Sequence, residues 1–206
     1  EQARQAAQQL RCMPVVCVPS ALQARSCNRR LAAAGGTLGV RVLTFGQLYQ
    51  ACLDERGTAY AELSDPEQYH LLSVILRQAS LQHYAPLRYK PGFVRILQSL
   101  IEELKAARIA PEALDSAVHG EPRLTELAAI YAAYQSMLAK VSAADRPGLG
   151  WLAVEALEAD PTICRWPLLI VDGFDNLTAV QIDVLKALAP RVGEMFITLT
   201  GELVFA

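Results

Sequence analysis

The segment LLIVDGFDNLTAVQ, Leu168 to Gln181, carries an apolar run that ends on Asp172. An aspartate at the carboxyl end of a buried strand is the residue type that holds Mg²⁺, usually through water, during phosphoryl transfer. A neighbouring glutamate then positions the attacking water. Gly173 stands in that neighbouring place and has no side chain for the task. The phosphate cradle is missing from these residues too, since no GxxxxGK followed by Ser or Thr occurs. The stretch Gly35-Gly36-Thr37-Leu38-Gly39 is no substitute: it follows a helical pattern and precedes a strand, the reverse of the order a phosphate loop requires. By residue type alone Asp172 is equally a turn residue or helix cap at a sheet edge, and both readings stay open.

Open parallel sheets bind ligands at the carboxyl ends of their strands. Three such ends carry polar residues here: Pro19-Ser20, Thr44-Phe45, and Asp172 with Asp175. A hydroxyl or a helix N-terminus can hold a phosphate, and the ring of Phe45 can stack on a base. The opposing reading is that Ser20, spaced with Gln23 as a capping box, only caps its helix and that Phe45 is core.

The elements that position these residues alternate strand and helix. PVVCVPS reads as a strand, residues 21–34 as a helix ending at Gly35-Gly36, GVRVLTF as a second strand and GQLYQACLDERG as a second helix. Short continuous apolar strands between helices predict a parallel sheet covered on both faces. From about Thr58 to Arg165 the pattern changes. Asp65-Pro66 predicts an N-cap with proline at the first helical position, and Leu72, Ile75, Leu76 and Ala79 form the face that follows. Pro91 opens a helix with Phe93, Leu97, Leu100, Ile101 and Leu104 on one side, and Leu124, Leu127, Tyr131, Tyr134 and Leu138 form another stripe. This span is expected to be all-helical, and its stripes are read as plain core. After Trp166 the rhythm returns with PLLIVD, the helix NLTAVQIDVLKALAPR and the strand EMFITLT. The expected architecture is one α/β domain, 1–57 and 166–206, interrupted by a helical insertion, 58–165. The sequence opens inside a helix and closes just after a strand, as expected of a piece of a longer chain.

Composition bounds the function classes. Of the 206 residues 52% are hydrophobic, enough to bury a real core, and no apolar stretch reaches the roughly 20 residues that span a bilayer. The start, EQARQAAQQL, is polar and helical rather than a signal peptide, so the expected location is cytoplasmic with no membrane partner. Cys12, Cys17, Cys27, Cys52 and Cys164 form no CxxC pair and read as reduced thiols. His70, His83 and His119 have no ligand-spaced neighbour. A net charge of −2 excludes nucleic-acid binding by overall charge, yet Arg4, Arg11, Arg25, Arg29 and Arg30 crowd the N-terminal segment against Glu1 alone. They make either a local basic face or a solvated helix surface.

Taken together, VVCVPSALQAR, VRVLTFGQLY, LLIVDGFDNLTAVQIDVL and MFITLTGE resemble the N-terminal helicase-like region of the AddB-type subunit of bacterial ATP-dependent helicase–nucleases, relatives of UvrD-type helicases. The resemblance covers nearly the whole chain. It implies a RecA-like, P-loop NTPase-type parallel sheet, incomplete here, with a helical subdomain inserted. UvrD-type motors carry D-E-[FY]-Q-D and a later glutamine at this strand end. Asp172, Phe174 and Gln181 fall on the matching places and Gly173 on the glutamate. The resemblance therefore implies a degenerate nucleotide and Mg²⁺ site at Asp172 and Gln181, no catalytic residue in this chain, and a non-motor domain whose partner subunit drives translocation. It also implies contact of Pro19, Ser20, Thr44 and Phe45 with single-stranded or unwinding DNA, to which Arg25 of the basic segment is added as a candidate contact. Gly201-Glu202 is similar to the start of the next helicase motif, but Leu203, Val204 and Phe205 follow where a glutamine is expected. By the same resemblance a phosphate loop, and with it Mg-ATP, would lie upstream of Glu1, and a nuclease domain beyond Ala206. The alternative is an active ATP-dependent helicase fragment whose water-activating residue is Asp175 or Glu202. A response-regulator receiver phosphorylated on Asp172 is disfavoured, because receivers lack a long helical insertion and no acidic pair ends the PVVCV strand.

Overall fold

The computed structural model describes residues 13–35, 39–118 and 120–199. Of the residues singled out above, Arg4, Arg11, Cys12, residues 36–38, His119 and residues 201–205 lie outside them. The chain divides into two compact units. One is formed by residues up to Thr58 together with those from Leu152, the other by Ala59–Trp151.

The first unit is α/β. Strands β1 (Val15–Cys17), β2 (Arg41–Leu43), β5 (Leu168–Phe174) and β6 (Glu194–Leu199) form a parallel sheet in the order β2-β1-β5-β6. Val15, Val16, Cys17, Leu168, Leu169 and Val171 are all buried, which is what continuous apolar strands between covering helices require. Helices α1 (Ala21–Ala33), α2 (Phe45–Arg56) and α8 (Ala179–Leu188) follow β1, β2 and β5. Helix α2 is the most deeply anchored of these, burying Phe45, Leu48, Tyr49, Ala51, Cys52 and Leu53. Its Glu55 carboxylate accepts the Cys164 N–H at 2.6 Å and Trp166 Nε1–H at 3.2 Å, which ties the approach to β5 onto α2.

Two boundaries differ from expectation for a local reason. The second strand stops at Leu43, one residue before Thr44, because Thr44 caps α2: its N–H donates to the Gln47 side-chain oxygen at 2.9 Å. Helix α3 (Asp65–Gln78) is capped by Ser64 rather than Asp65, since Glu67 accepts from both Ser64 N–H (2.8 Å) and Ser64 Oγ (2.6 Å).

The second unit packs α3, α4 (Pro91–Ala106), α5 (Pro111–Ala117) and α6 (Pro122–Lys140) around one core. Leu72, Ile75, Leu76, Phe93, Leu97, Ile101, Tyr131, Tyr134 and Leu138 supply it, as the stripes predicted, whereas Leu124 at the start of its stripe is exposed. The expectation of an all-helical span is corrected by β3 (Ala61–Glu62) and β4 (Ala143–Ala144), a two-residue parallel pair in which Leu63 N–H also reaches Ala144 O at 2.9 Å. Strands this short leave no periodicity to read. Helix α7 (Arg146–Ala159) begins in this unit and continues past Trp151.

This core encloses one ion pair. Lys105, with no exposed surface, meets Asp145 Oδ1 at 2.6 Å and donates to Gln135 Oε1 at 2.9 Å. Asp145, 3% exposed, also accepts Gly148 N–H at 2.8 Å. Burial pulls the Lys105 ammonium pKa down while the adjacent Asp145 charge opposes that pull.

Candidate functional site at the carboxyl edge of the sheet

Register places the sequence-derived residues along one edge. Cys17 pairs with Leu43 on one side and Val171 on the other, so Ser20, Thr44 and Asp172 all follow the same row of strand ends. The segments also touch: a Cβ at Gly173 would lie 3.9 Å from Pro19 Cδ and 3.7 Å from Gln23 Nε2. Phe174 meets Phe45 edge-on, with ring centroids 5.1 Å apart.

Each helix entering from this edge has the same start. Ser20, Thr44 and Thr178 are N-caps, and three residues later stand Gln23, Gln47 and Gln181. The Gln23 N–H donates to Ser20 Oγ at 3.2 Å, whose hydroxyl donates to Gln23 Oε1 at 3.0 Å. Thr178 N–H donates to Gln181 Oε1 at 2.9 Å and Gln181 N–H to Thr178 Oγ1 at 3.3 Å. None of the three helices has an acid in its first turn. In α3, by contrast, Asp65 and Glu67 place carboxylates at the helix start. Neutral glutamine caps put no charge on the helix starts themselves, and the carboxylates of this edge are Asp172 and Asp175 at the end of β5. Arg25, exposed one turn into α1, adds a full charge there.

The strand end itself is irregular. Pairing of β5 with β6 shifts register between Val171 and Phe174, and Gly173 sits at φ +78°. That left-handed backbone costs a residue with a side chain about 1–2 kcal/mol and costs glycine little. The missing glutamate therefore has a conformational counterpart: the chain turns at this place in a way that glycine permits. Thr198 of β6 closes the turn, donating its hydroxyl to Asp172 Oδ1 while accepting Gly173 N–H at 3.4 Å.

Asp172 is exposed. Its charge reaches Cys27, whose thiol is pushed up chiefly by burial, pulled down by Arg30 and raised again by Asp172. The donor set does not fit a complete Mg-nucleotide site. One Asp172 oxygen is engaged by Thr198, the Gln181 side chain by Thr178, and no cluster of three ligating side chains occurs among the described residues. Phe45 is only 6% exposed and packs against Tyr49 and Phe174, so its ring offers no face to a base. The stacking expected of it is corrected to the core role weighed beside it.

Comparison with known proteins decides the family. The family model described as "ADDB, N-terminal" matches residues 19–204. The chain belongs to this AddB N-terminal family. Proteins named as a subunit of ATP-dependent helicase/deoxyribonuclease are similar to it. That of Natranaerobius thermophilus is 25% identical over 171 residues, 78% of this chain and 14% of its own length. The Ruminiclostridium cellulolyticum protein is 26% identical over 196 residues, 89% of this chain and 17% of its own. The Streptococcus suis protein is 28% identical over 169 residues, 78% and 15%. The chain thus spans well under a fifth of the length of these AddB relatives.

Sequence reading missed Thr198 and the Lys105–Asp145 pair. The second had a signal: Lys105 continues the row Leu97, Ile101 at four-residue spacing, which puts its stem on the buried face of α4. Thr198 had none, because an exposed threonine in a strand is ordinary. Among the described residues no helix is long and apolar enough to cross a membrane.

Proposed function

We propose that this chain is a degenerate helicase-like domain of a DNA end-processing helicase–nuclease acting in double-strand break repair, which guides single-stranded DNA along its sheet edge and docks a motor partner subunit without hydrolysing ATP itself. The β2-β1-β5-β6 parallel order, with a helical unit between β2 and β5, supports a partial RecA-like sheet. The observation that carries the reading is the carboxyl edge: three acid-free helix starts and Arg25 favour phosphate, while the place of the water-positioning glutamate is a left-handed glycine. Pro19, Ser20, Thr44 and Arg25 are the contacts this reading assigns to the DNA backbone. Relatives bearing the word "subunit" in their names support a partner chain.

The test is titration of a fluorescein-labelled oligothymidylate with the chain at low and moderate salt. Binding should weaken steeply with salt, because phosphate contacts release counterions, and Arg25→Ala and Ser20→Ala should each weaken it. Absence of binding at low salt, or indifference to both substitutions, overturns the guiding role. The exposed Asp172 favours a second reading, an ATP-dependent motor whose phosphate loop lies upstream of Glu1. Sequencing the gene upstream separates the two: an intact loop supports the motor, and its absence excludes it.

A further inference from the structure

Charge is segregated within the helical unit. From Gln68 to Ile101 the chain contains Arg77, Arg88, Lys90 and Arg95 and neither aspartate nor glutamate, in a protein of net charge −2. Helices α3 and α4 are antiparallel: Gln98 Nε2 donates to Asp65 O at 3.3 Å, and the Arg95 guanidinium lies 5.4 Å over the Tyr69 ring. The last turn of α3, the connecting segment and the first turn of α4 therefore meet at one end, which carries Arg77, Arg88 and Lys90, while Arg95 lies further along, beside Tyr69 in the first half of α3. The other end is acidic. Glu62, Asp65, Glu102 and Asp145 line a cavity of about 270 Å³ there; Arg146 pairs with Glu62 and Lys105 with Asp145, which leaves Asp65 and Glu102 as its unpaired charges in the described ion pairs.

The basic end is rigidly built. Glu126 accepts the N–H groups of Gln82, His83 and Tyr84 at 2.7, 2.8 and 3.1 Å, which fixes the connection and sets one carboxylate beside its cations. Arg88 donates to Ala79 O at 2.7 Å, and the Tyr84 ring stacks on Phe93 with centroids 5.1 Å apart. On this support stands Tyr89, 74% exposed, beside exposed Lys90 at the N-cap of α4. An unpartnered aromatic face next to cations, on a helix start without acids, combines the two features that hold unpaired nucleotides: stacking and phosphate attraction.

We infer that the α3–α4 tip is a second single-strand contact surface, with Tyr89 stacking on a base and Arg77 and Lys90 holding the adjoining phosphates. This rests on the reading that the protein handles DNA, and it adds a contact the sheet edge does not supply.

The experiment is the same oligothymidylate titration, with each variant's melting temperature recorded to show that it folds. Tyr89→Ala should weaken binding by about five- to a hundredfold and Tyr89→Trp should retain it. The double substitution Arg77→Gln/Lys90→Gln should lower the slope of log affinity against log salt by about 1.4, since each phosphate contact to a single strand contributes roughly 0.7. Arg88 is left intact because it holds the connection. Unchanged affinity in Tyr89→Ala with an unchanged slope in the double variant overturns the inference. So does equal competition by polyglutamate, which would mark the tip as a site for an acidic protein. Loss confined to Ser20→Ala and Arg25→Ala sinks the tip and leaves the sheet-edge reading standing. Loss confined to the tip variants does the reverse, and no binding by the unaltered chain sinks both.

Discussion

Replacing Lys105 by methionine isolates the energetics of the buried ion pair. The substitution keeps most of the stem's volume but removes the ammonium that meets Asp145 at 2.6 Å and Gln135 at 2.9 Å. Asp145 would then be a carboxylate at 3% exposure that keeps the Gly148 N–H and the neighbouring Tyr134 hydroxyl but no counter-charge. Breaking one partner of a buried pair costs roughly 3–5 kcal/mol, much of it the penalty of the stranded charge. In a chain of this size each kcal/mol moves the melting midpoint by roughly 2–4 °C, so the expected fall is about 6 °C or more. The assay is thermal unfolding followed by circular dichroism at 222 nm, with urea denaturation as a second measure. A double-mutant cycle with Asp145→Leu sharpens it: the double variant should cost clearly less than the sum of the singles, because removing both partners strands neither. A single-variant cost below about 1 kcal/mol, or strict additivity in the cycle, refutes the reasoning. Gly148→Ala offers an independent perturbation, since its Cβ would lie 2.7 Å from Asp145 Oδ1 and 2.8 Å from Lys105 Nζ.

Three other outcomes are expected. Burial raises the pKa of Glu126, but the three N–H donors outweigh it and hold the carboxyl below its ordinary 4.5; its contribution is therefore fully present above that pH and lost as pH falls through the lower folded value. Glu126→Gln should lower the melting temperature at pH 7, and the gap to the unaltered chain should close on acidification below pH 4.5. Gly173→Ala should cost about 1–2 kcal/mol through backbone strain alone, as its Cβ would make ordinary contacts at 3.7 and 3.9 Å; an unchanged melting temperature would contradict the left-handed turn. Burial pushes the Cys17 thiol up to about 12. The Cys52 contact and burial push Cys164 far up as well. Maleimide labelling read by peptide mass should therefore reach half-buried Cys27 in the folded chain, but Cys17 and Cys164 only after denaturation.

The coarse α/β reading and the helical stripes were legible because burial imposes period. The runs at Val15–Cys17 and Leu168–Val171 announce strands covered on both faces, and Phe93, Leu97 and Ile101 announce the buried face of α4. The strand ends were legible as a set of residues but not as an arrangement. Thr44 and Gln47 are spaced as a cap, yet the apolar run GVRVLTF carries Phe45 into the strand. In the structure Phe45 opens the helix and its ring is buried. Gly173 marked a missing carboxylate in the sequence. The φ of +78° and the Thr198 bridge depend on β6, which lies 25 residues away in the chain, so local spacing carried no trace of them. Gln181 shows the same limit. Its place in the motif resembles a nucleotide contact, and its side chain caps α8 through Thr178.

The central claim is DNA guidance without a motor in this chain. Its most direct test is anisotropy of a labelled oligothymidylate titrated with the chain across a salt series, with and without Mg-ATP. The account predicts binding that falls steeply with salt, weakens in Arg25→Ala, and is the same with and without nucleotide. No binding at low salt, or an affinity that Mg-ATP shifts severalfold, would contradict it.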